Sequence, residues 1–152
     1  MELTKPLKVL IIEDDMYYAA ILEKHLKNHM TREEAGLTYD VKIFRMAEHA
    51  LQHLDKDTDI VITDYYLEDD HGEIPLSAVE LLRAIREYCS NCRTIVVSAS
   101  SDPQLPMSLF DQGIYEFIHK DRDATAKITA VLRKMIGDII LERIMIADDT
   151  ES

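Results

Sequence analysis

Several common markers are scarce in this sequence. Cysteine occurs only twice, as Cys89 and Cys92 in a Cys-Ser-Asn-Cys arrangement. A structural zinc site takes four ligands and there is no second pair. A thioredoxin-like pair opens a helix after a strand, whereas this one follows a helical segment and precedes a strand. The two read as free thiols in a helix-to-strand loop. No run approaches the roughly 18 apolar residues of a membrane span. Val9–Ile12 is too short for a signal peptide and ends in acid, so a cytoplasmic chain without a membrane partner is expected. Basic residues are outnumbered, 17 Lys and Arg against 29 Asp and Glu, for a net charge of -12. Such a surface repels phosphate backbones, which excludes direct nucleic acid binding and leaves a protein partner or a metal ion. There are only 4 glycines and they form no phosphate-cradling loop. No internal repeat or low-complexity stretch stands out.

What is present suits one domain with a real core: 152 residues, 47% of them hydrophobic. Val9–Ile12, Ile60–Thr63 and Thr94–Ser98 are short apolar or β-branched runs, as expected of strands buried on both faces. Leu37, Tyr39, Val41 and Ile43 alternate with polar residues and predict a fourth strand; Tyr115–His119 predicts a fifth. Helical stripes fill the intervals: 17–29, 47–54, a segment opening at a Ser77/Glu80 capping box and running to about Tyr88, a short helix starting at Asp102-Pro103 and ending at Gly113, and a long one from about Ala124 to Ala147. Strands alternating with helices imply an α/β fold around a parallel sheet.

In such sheets ligands gather at the carboxyl ends of the strands. The residues there are Glu13-Asp14-Asp15, Asp64, Ser98-Ala99 and His119-Lys120. Clustered carboxylates call for a cation, and Mg²⁺ suits them because it takes hard oxygen ligands. A carboxylate can itself attack phosphorus and form an acyl phosphate. A lysine and a hydroxyl could stabilise the charge on the phosphoryl oxygens. Asp15 is left to cap the first helix.

With these residues in order, the chain resembles the receiver domains of bacterial two-component response regulators over about Leu7 to Ile136. The matching features are the acidic strand end at Glu13-Asp14, Asp64 closing the third strand, Gly72 eight positions later, Ser98-Ala99, and Lys120. The resemblance implies a flavodoxin-like, doubly wound sheet of strand order 2-1-3-4-5, with a receiver domain over residues 1–137 and a C-terminal helical extension and tail over 138–152. It implies a phosphoacceptor switch rather than an enzyme. Asp64 would take the phosphoryl group from a histidine kinase or histidine phosphotransfer protein, with Mg²⁺ or Mn²⁺, and the change would pass to a downstream protein the sequence does not name. Asp14 would be the principal metal ligand, with Glu13 assisting, Asp64 itself, and the backbone carbonyl of Tyr66. Ser98 and Lys120 would hold phosphoryl oxygens, and Phe117 occupies the aromatic switch position. Tyr66 and Ser100 border the path of attacking water, and their bulk and lack of an acid or amide imply slow dephosphorylation.

Departures from the pattern are local. The segment Glu73–Ser77 delays the third helix, Glu68–His71 is acidic, and Asp121 stands where many relatives have proline. Two other readings compete. A haloacid-dehalogenase-type phosphatase also uses an aspartyl nucleophile but wants an acid at position 66, where Tyr66 stands. A degenerate receiver would dock proteins without taking phosphate. No effector segment follows the receiver, so the chain either acts by contact or is part of a longer protein. The final helix, about 35 Å long, continues its apolar stripe through Ile139, Ile140, Ile144 and Ile146, past a possible bend at Gly137. That tail either folds back on its own domain or pairs with the same helix of a second copy in a two-fold homodimer.

Overall fold

The strand-forming runs take up a parallel five-stranded sheet in the computed structural model, which describes residues 5–30, 38–65 and 78–151. The elements alternate as β1 (Leu7–Ile12), α1 (Met16–Met30), β2 (Tyr39–Phe44), α2 (Ala47–His53), β3 (Ile60–Asp64), α3 (Ala78–Tyr88), β4 (Arg93–Ser98), α4 (Leu105–Asp111), β5 (Glu116–His119) and α5 (Ala124–Glu151). The sheet order is β2-β1-β3-β4-β5, the flavodoxin-like 2-1-3-4-5 order that the resemblance implies.

Because successive strand residues face opposite sides, each central strand feeds two cores. Val9 and Ile11, Ile60 and Ile62, Ile95 and Val97 pack with Ala19, Leu22 and Leu26 of α1 and with Ile128, Leu132, Met135 and Ile136 of α5. Leu10 and Ile12, Val61 and Val96 pack on the other side with Ala50 of α2, Leu81, Leu82 and Ile85 of α3, and Leu109 of α4. This double burial is why β1, β3 and β4 read as unbroken apolar runs. β2 and β5 form the edges, and their residues are mostly half-buried.

The register fixes the strand ends. Ile12 lies opposite Thr63, Asp64 opposite Val97 and Ser98 opposite His119. Glu13, Asp64, Ser98 and Lys120 therefore leave the sheet along one edge.

Local chemistry explains the boundaries. Asp15 caps α1, its Oδ1 accepting the N–H groups of Tyr17 (3.0 Å) and Tyr18 (3.2 Å), as expected of an Asp at that position. The start of α4 differs from expectation. Asp102 closes a turn by accepting the Gln104 N–H at 3.0 Å, and the helix opens at Leu105, with Pro106 in its first positions. It is Pro106, not Pro103, that uses the helix start, where a missing N–H costs nothing. Gly113 ends that segment at φ 92°, a conformation that side chains resist. Cys89 is buried and its thiol donates to the Thr58 carbonyl at 3.0 Å; both cysteines are free. The capping residue Ser77 and the 66–77 segment lie outside the described residues.

α5 is longer than the sequence suggested and passes through Gly137 without interruption. Ile139 and Arg143 are buried. Arg143 donates through Nη1 to the Lys5 carbonyl at 2.6 Å and lies 3.5 Å from the Asp59 carboxylate. Leu141, Ile144, Met145 and Ile146 are exposed. No helix among the described residues is long and apolar enough to cross a membrane.

Candidate functional site

At the carboxyl edge the β1–α1 turn supplies Glu13 and Asp14, β3 ends in Asp64, and Lys120 follows β5. The Glu13 N–H donates to the Phe44 carbonyl (2.9 Å) and the Lys120 N–H to the Ser98 carbonyl (2.8 Å), so the backbone of both residues is held by neighbouring strands. Lys120 Nζ lies 2.7 Å from Glu13 Oε1 and 3.1 Å from Asp64 Oδ2. The Glu13 side chain is 3% exposed and that of Asp64 10%.

One oxygen each from Glu13, Asp14 and Asp64 lie within 4.8 Å of one another. Two oxygens on opposite sides of one Mg²⁺ are about 4.2 Å apart, twice the usual bond length. Only one pair of three ligands can lie opposite, and neighbouring ones are about 3.0 Å apart, so the three hard oxygens suit a divalent cation once their side chains draw in around it. Three carboxylates face one lysine, so the pocket carries excess negative charge and favours such an ion electrostatically.

Burial pushes the Glu13 carboxyl up to about 7, against the lowering hydrogen bond from Lys120 and with further raising by Asp64. Burial works to lower Lys120, but its hydrogen bonds to Glu13 and Asp64 outweigh that and hold it above the usual lysine range. The ammonium remains the counter-charge of the pocket.

The structure brings Glu13, Asp14, Asp64 and Lys120 together. Ser98 is fully buried at the end of β4, with its Oγ accepting the Ser100 N–H at 3.1 Å. Ser100 is half-buried, and its Oγ accepts the Asp102 N–H at 3.2 Å. Phe117 lies on β5, half-buried against the core that faces α3 and α4. Tyr66 lies outside the described residues. The Lys120–Asp121 peptide is trans. Sequence reasoning missed one neighbour: the ring of Tyr18, whose centroid is 4.4 Å from Lys120 Nζ. In the sequence Tyr18 is one member of the apolar stripe of α1. Its place in the first turn after Glu13-Asp14 was the available signal.

The response regulator receiver domain family matches residues 9–133. The transcriptional regulatory protein CitT of Halalkalibacterium halodurans is 29% identical over 121 residues, which are 78% of this chain and 47% of that protein. This chain thus spans about half the length of that relative. Among solved structures, the signal receiver domain of an HD domain-containing protein from Pseudomonas fluorescens Pf-5 has a TM-score of 0.69 at 20% identity, covering 89% of this chain and 98% of that one. The BeF3-activated receiver domain of DrrB from Thermotoga maritima has a TM-score of 0.69 at 20% identity, covering 88% and 99%. With the sheet order and the strand-end carboxylates in place, the match over residues 9–133 shows that this chain belongs to the response regulator receiver domain family.

Proposed function

We propose that this chain is the phosphoacceptor switch of a two-component phosphorelay, taking a phosphoryl group on Asp64 from a histidine kinase or histidine phosphotransfer protein. One observation carries the reading: Lys120 bridges Glu13 and Asp64 at 2.7 and 3.1 Å, at the carboxyl edge where the three acids can share a cation. A carboxylate oxygen of Asp64 attacks phosphorus. A new P–O bond forms as the bond to the donor breaks, and its electron pair leaves with the donor. Mg²⁺ held by Glu13, Asp14, Asp64 and the Tyr66 carbonyl, or Mn²⁺ in its place, would neutralise phosphoryl charge. Lys120 pairs with one phosphoryl oxygen and the Ser98 hydroxyl with another, which draws on a group already at the strand end. Arrival of the phosphoryl group is read out through Ser98 and Phe117. Tyr66 and Ser100 set the rate of hydrolysis.

On this reading the chain works in the cytoplasm as a switch rather than as an enzyme with its own substrate. Residues 1–137 form the receiver and 138–152 its helical extension, whose exposed Leu141, Ile144, Met145 and Ile146 pack against a second copy. Incubation with acetyl phosphate and Mg²⁺ tests the acceptor role. Intact-mass measurement should find one added phosphoryl group, and none when the metal is chelated before acetyl phosphate is added. A chain that stays unmodified under these conditions is the degenerate, docking-only alternative.

A further inference from the structure

Lys120 reaches the pocket on a flexible stem of four methylenes, and two carboxylates grip its ammonium. Those carboxylates are also the ligands a divalent cation would take. Their hold on Lys120 therefore weakens in the loaded pocket, when phosphoryl transfer most needs the lysine in place. One contact is independent of the cation. The Tyr18 ring centroid lies 4.4 Å from Lys120 Nζ, within the range at which the negative face of an aromatic ring attracts an ammonium.

Tyr18 is well placed to hold its position. Its N–H donates to the capping Asp15 at 3.2 Å, and its ring packs against the core between the sheet, α1 and α5. Its hydroxyl is buried and has no hydrogen-bond partner among the described residues. The phenol oxygen thus contributes nothing visible, and the ring face is the part that meets the site.

We propose that Tyr18 is a positioning residue for phosphoryl transfer: its ring face keeps the Lys120 ammonium at the phosphoryl site while the carboxylates turn to the cation. This rests on Asp64 being the acceptor. It also separates what Tyr18 does from what its bulk does, because a ring of unchanged shape can be drained of its negative face by fluorination.

The test measures the initial rate of phosphorylation by acetyl phosphate in saturating Mg²⁺, with thermal melting alongside. The proteins are the wild type, Tyr18→Phe, Tyr18→Leu, and full-length chains carrying phenylalanines of increasing fluorine content at position 18. Tyr18→Phe keeps the ring and should retain the rate. Tyr18→Leu should be about five-fold slower, within the range of a partly buried cation–π contact. The logarithm of the rate should fall stepwise with fluorine number while the melting temperature holds. In a Lys120→Met background, Tyr18→Leu should cause no further loss. A flat fluorine series in a chain whose wild type is phosphorylated overturns the role of Tyr18 alone. A wild type that takes no phosphoryl group overturns the reading of Asp64 and this proposal with it.

Discussion

Replacing Asp14 by Asn should make the metal-free protein more stable and the metal-loaded protein less so. Asp14, Glu13 and Asp64 place carboxylate oxygens within 4.8 Å of one another, and Lys120 pairs with only the last two. Two unit charges at that separation repel by about 0.9 kcal/mol in bulk water and about 3.5 kcal/mol at an effective dielectric constant of 20. Asp14 is half-exposed, so the lower part of that range applies. The Lys120 ammonium, paired with the other two acids, offsets part of that repulsion. A net gain of about 1–2 kcal/mol remains, or about 2–8 °C in melting temperature for a chain of this size. The experiment belongs at about pH 8, where Glu13, pushed up to about 7, is ionised. With no tryptophan in the chain, circular dichroism in EDTA reads stability and calorimetry reads Mg²⁺ binding. The variant should melt higher in EDTA and gain less from Mg²⁺ than the wild type. A lower melting temperature in EDTA would refute the repulsion, and Mg²⁺ affinity equal to the wild type's would refute the ligand assignment.

Glu13 gives a pH dependence. Its folded value of about 7 exceeds the ordinary 4.5, so between these the folded chain holds a proton the unfolded chain has lost. Metal-free stability should therefore fall as pH rises through that window, by up to about 3 kcal/mol. Glu13→Gln should flatten the profile in urea melts; an equal slope in the variant would point to another group. Tyr66→Asn should speed loss of the phosphoryl group, followed by intact mass over time, and an unchanged rate would count against Tyr66 as a block to in-line water. Arg143→Ala should cost about 2 kcal/mol in urea unfolding, because it orphans the Lys5 carbonyl and takes the cation away from the Asp59 carboxylate, which keeps the Lys8 N–H at 3.0 Å. An unchanged midpoint would mean that α5 beyond Gly137 is not tied to the body. Polar replacements at Leu141, Ile144, Met145 and Ile146 leave Arg143 intact and should yield a monomer in ultracentrifugation if that face joins two copies.

The sheet was legible because β1, β3 and β4 carry apolar residues on both faces, and their ends could be located from the first polar residue after each run. That alone put Glu13, Asp14, Asp64, Ser98 and Lys120 on one edge. The contacts that cross between distant elements were not legible. Tyr18 beneath Lys120 and Arg143 against Lys5, 138 positions apart, depend on how α1 and α5 seat on the sheet, which periodicity does not encode. The tail posed two alternatives, and its buried and exposed residues divide between them: Ile139 and Arg143 turn inward while Leu141, Ile144, Met145 and Ile146 face out. The start of α4 is shifted from Pro103 to Leu105 because Pro103 and Pro106 each suit a first turn and the sequence does not rank them.

The most direct measurement identifies the modified atom. The protein is phosphorylated with acetyl phosphate and Mg²⁺ and then treated with borohydride, which reduces an aspartyl phosphate to homoserine. Peptide mapping follows. Homoserine should appear at position 64 and nowhere else, and Asp64→Asn should abolish it. Homoserine at Asp14 or another acid, or a phosphoryl group that persists on the Asp64→Asn chain, would contradict Asp64 as the acceptor.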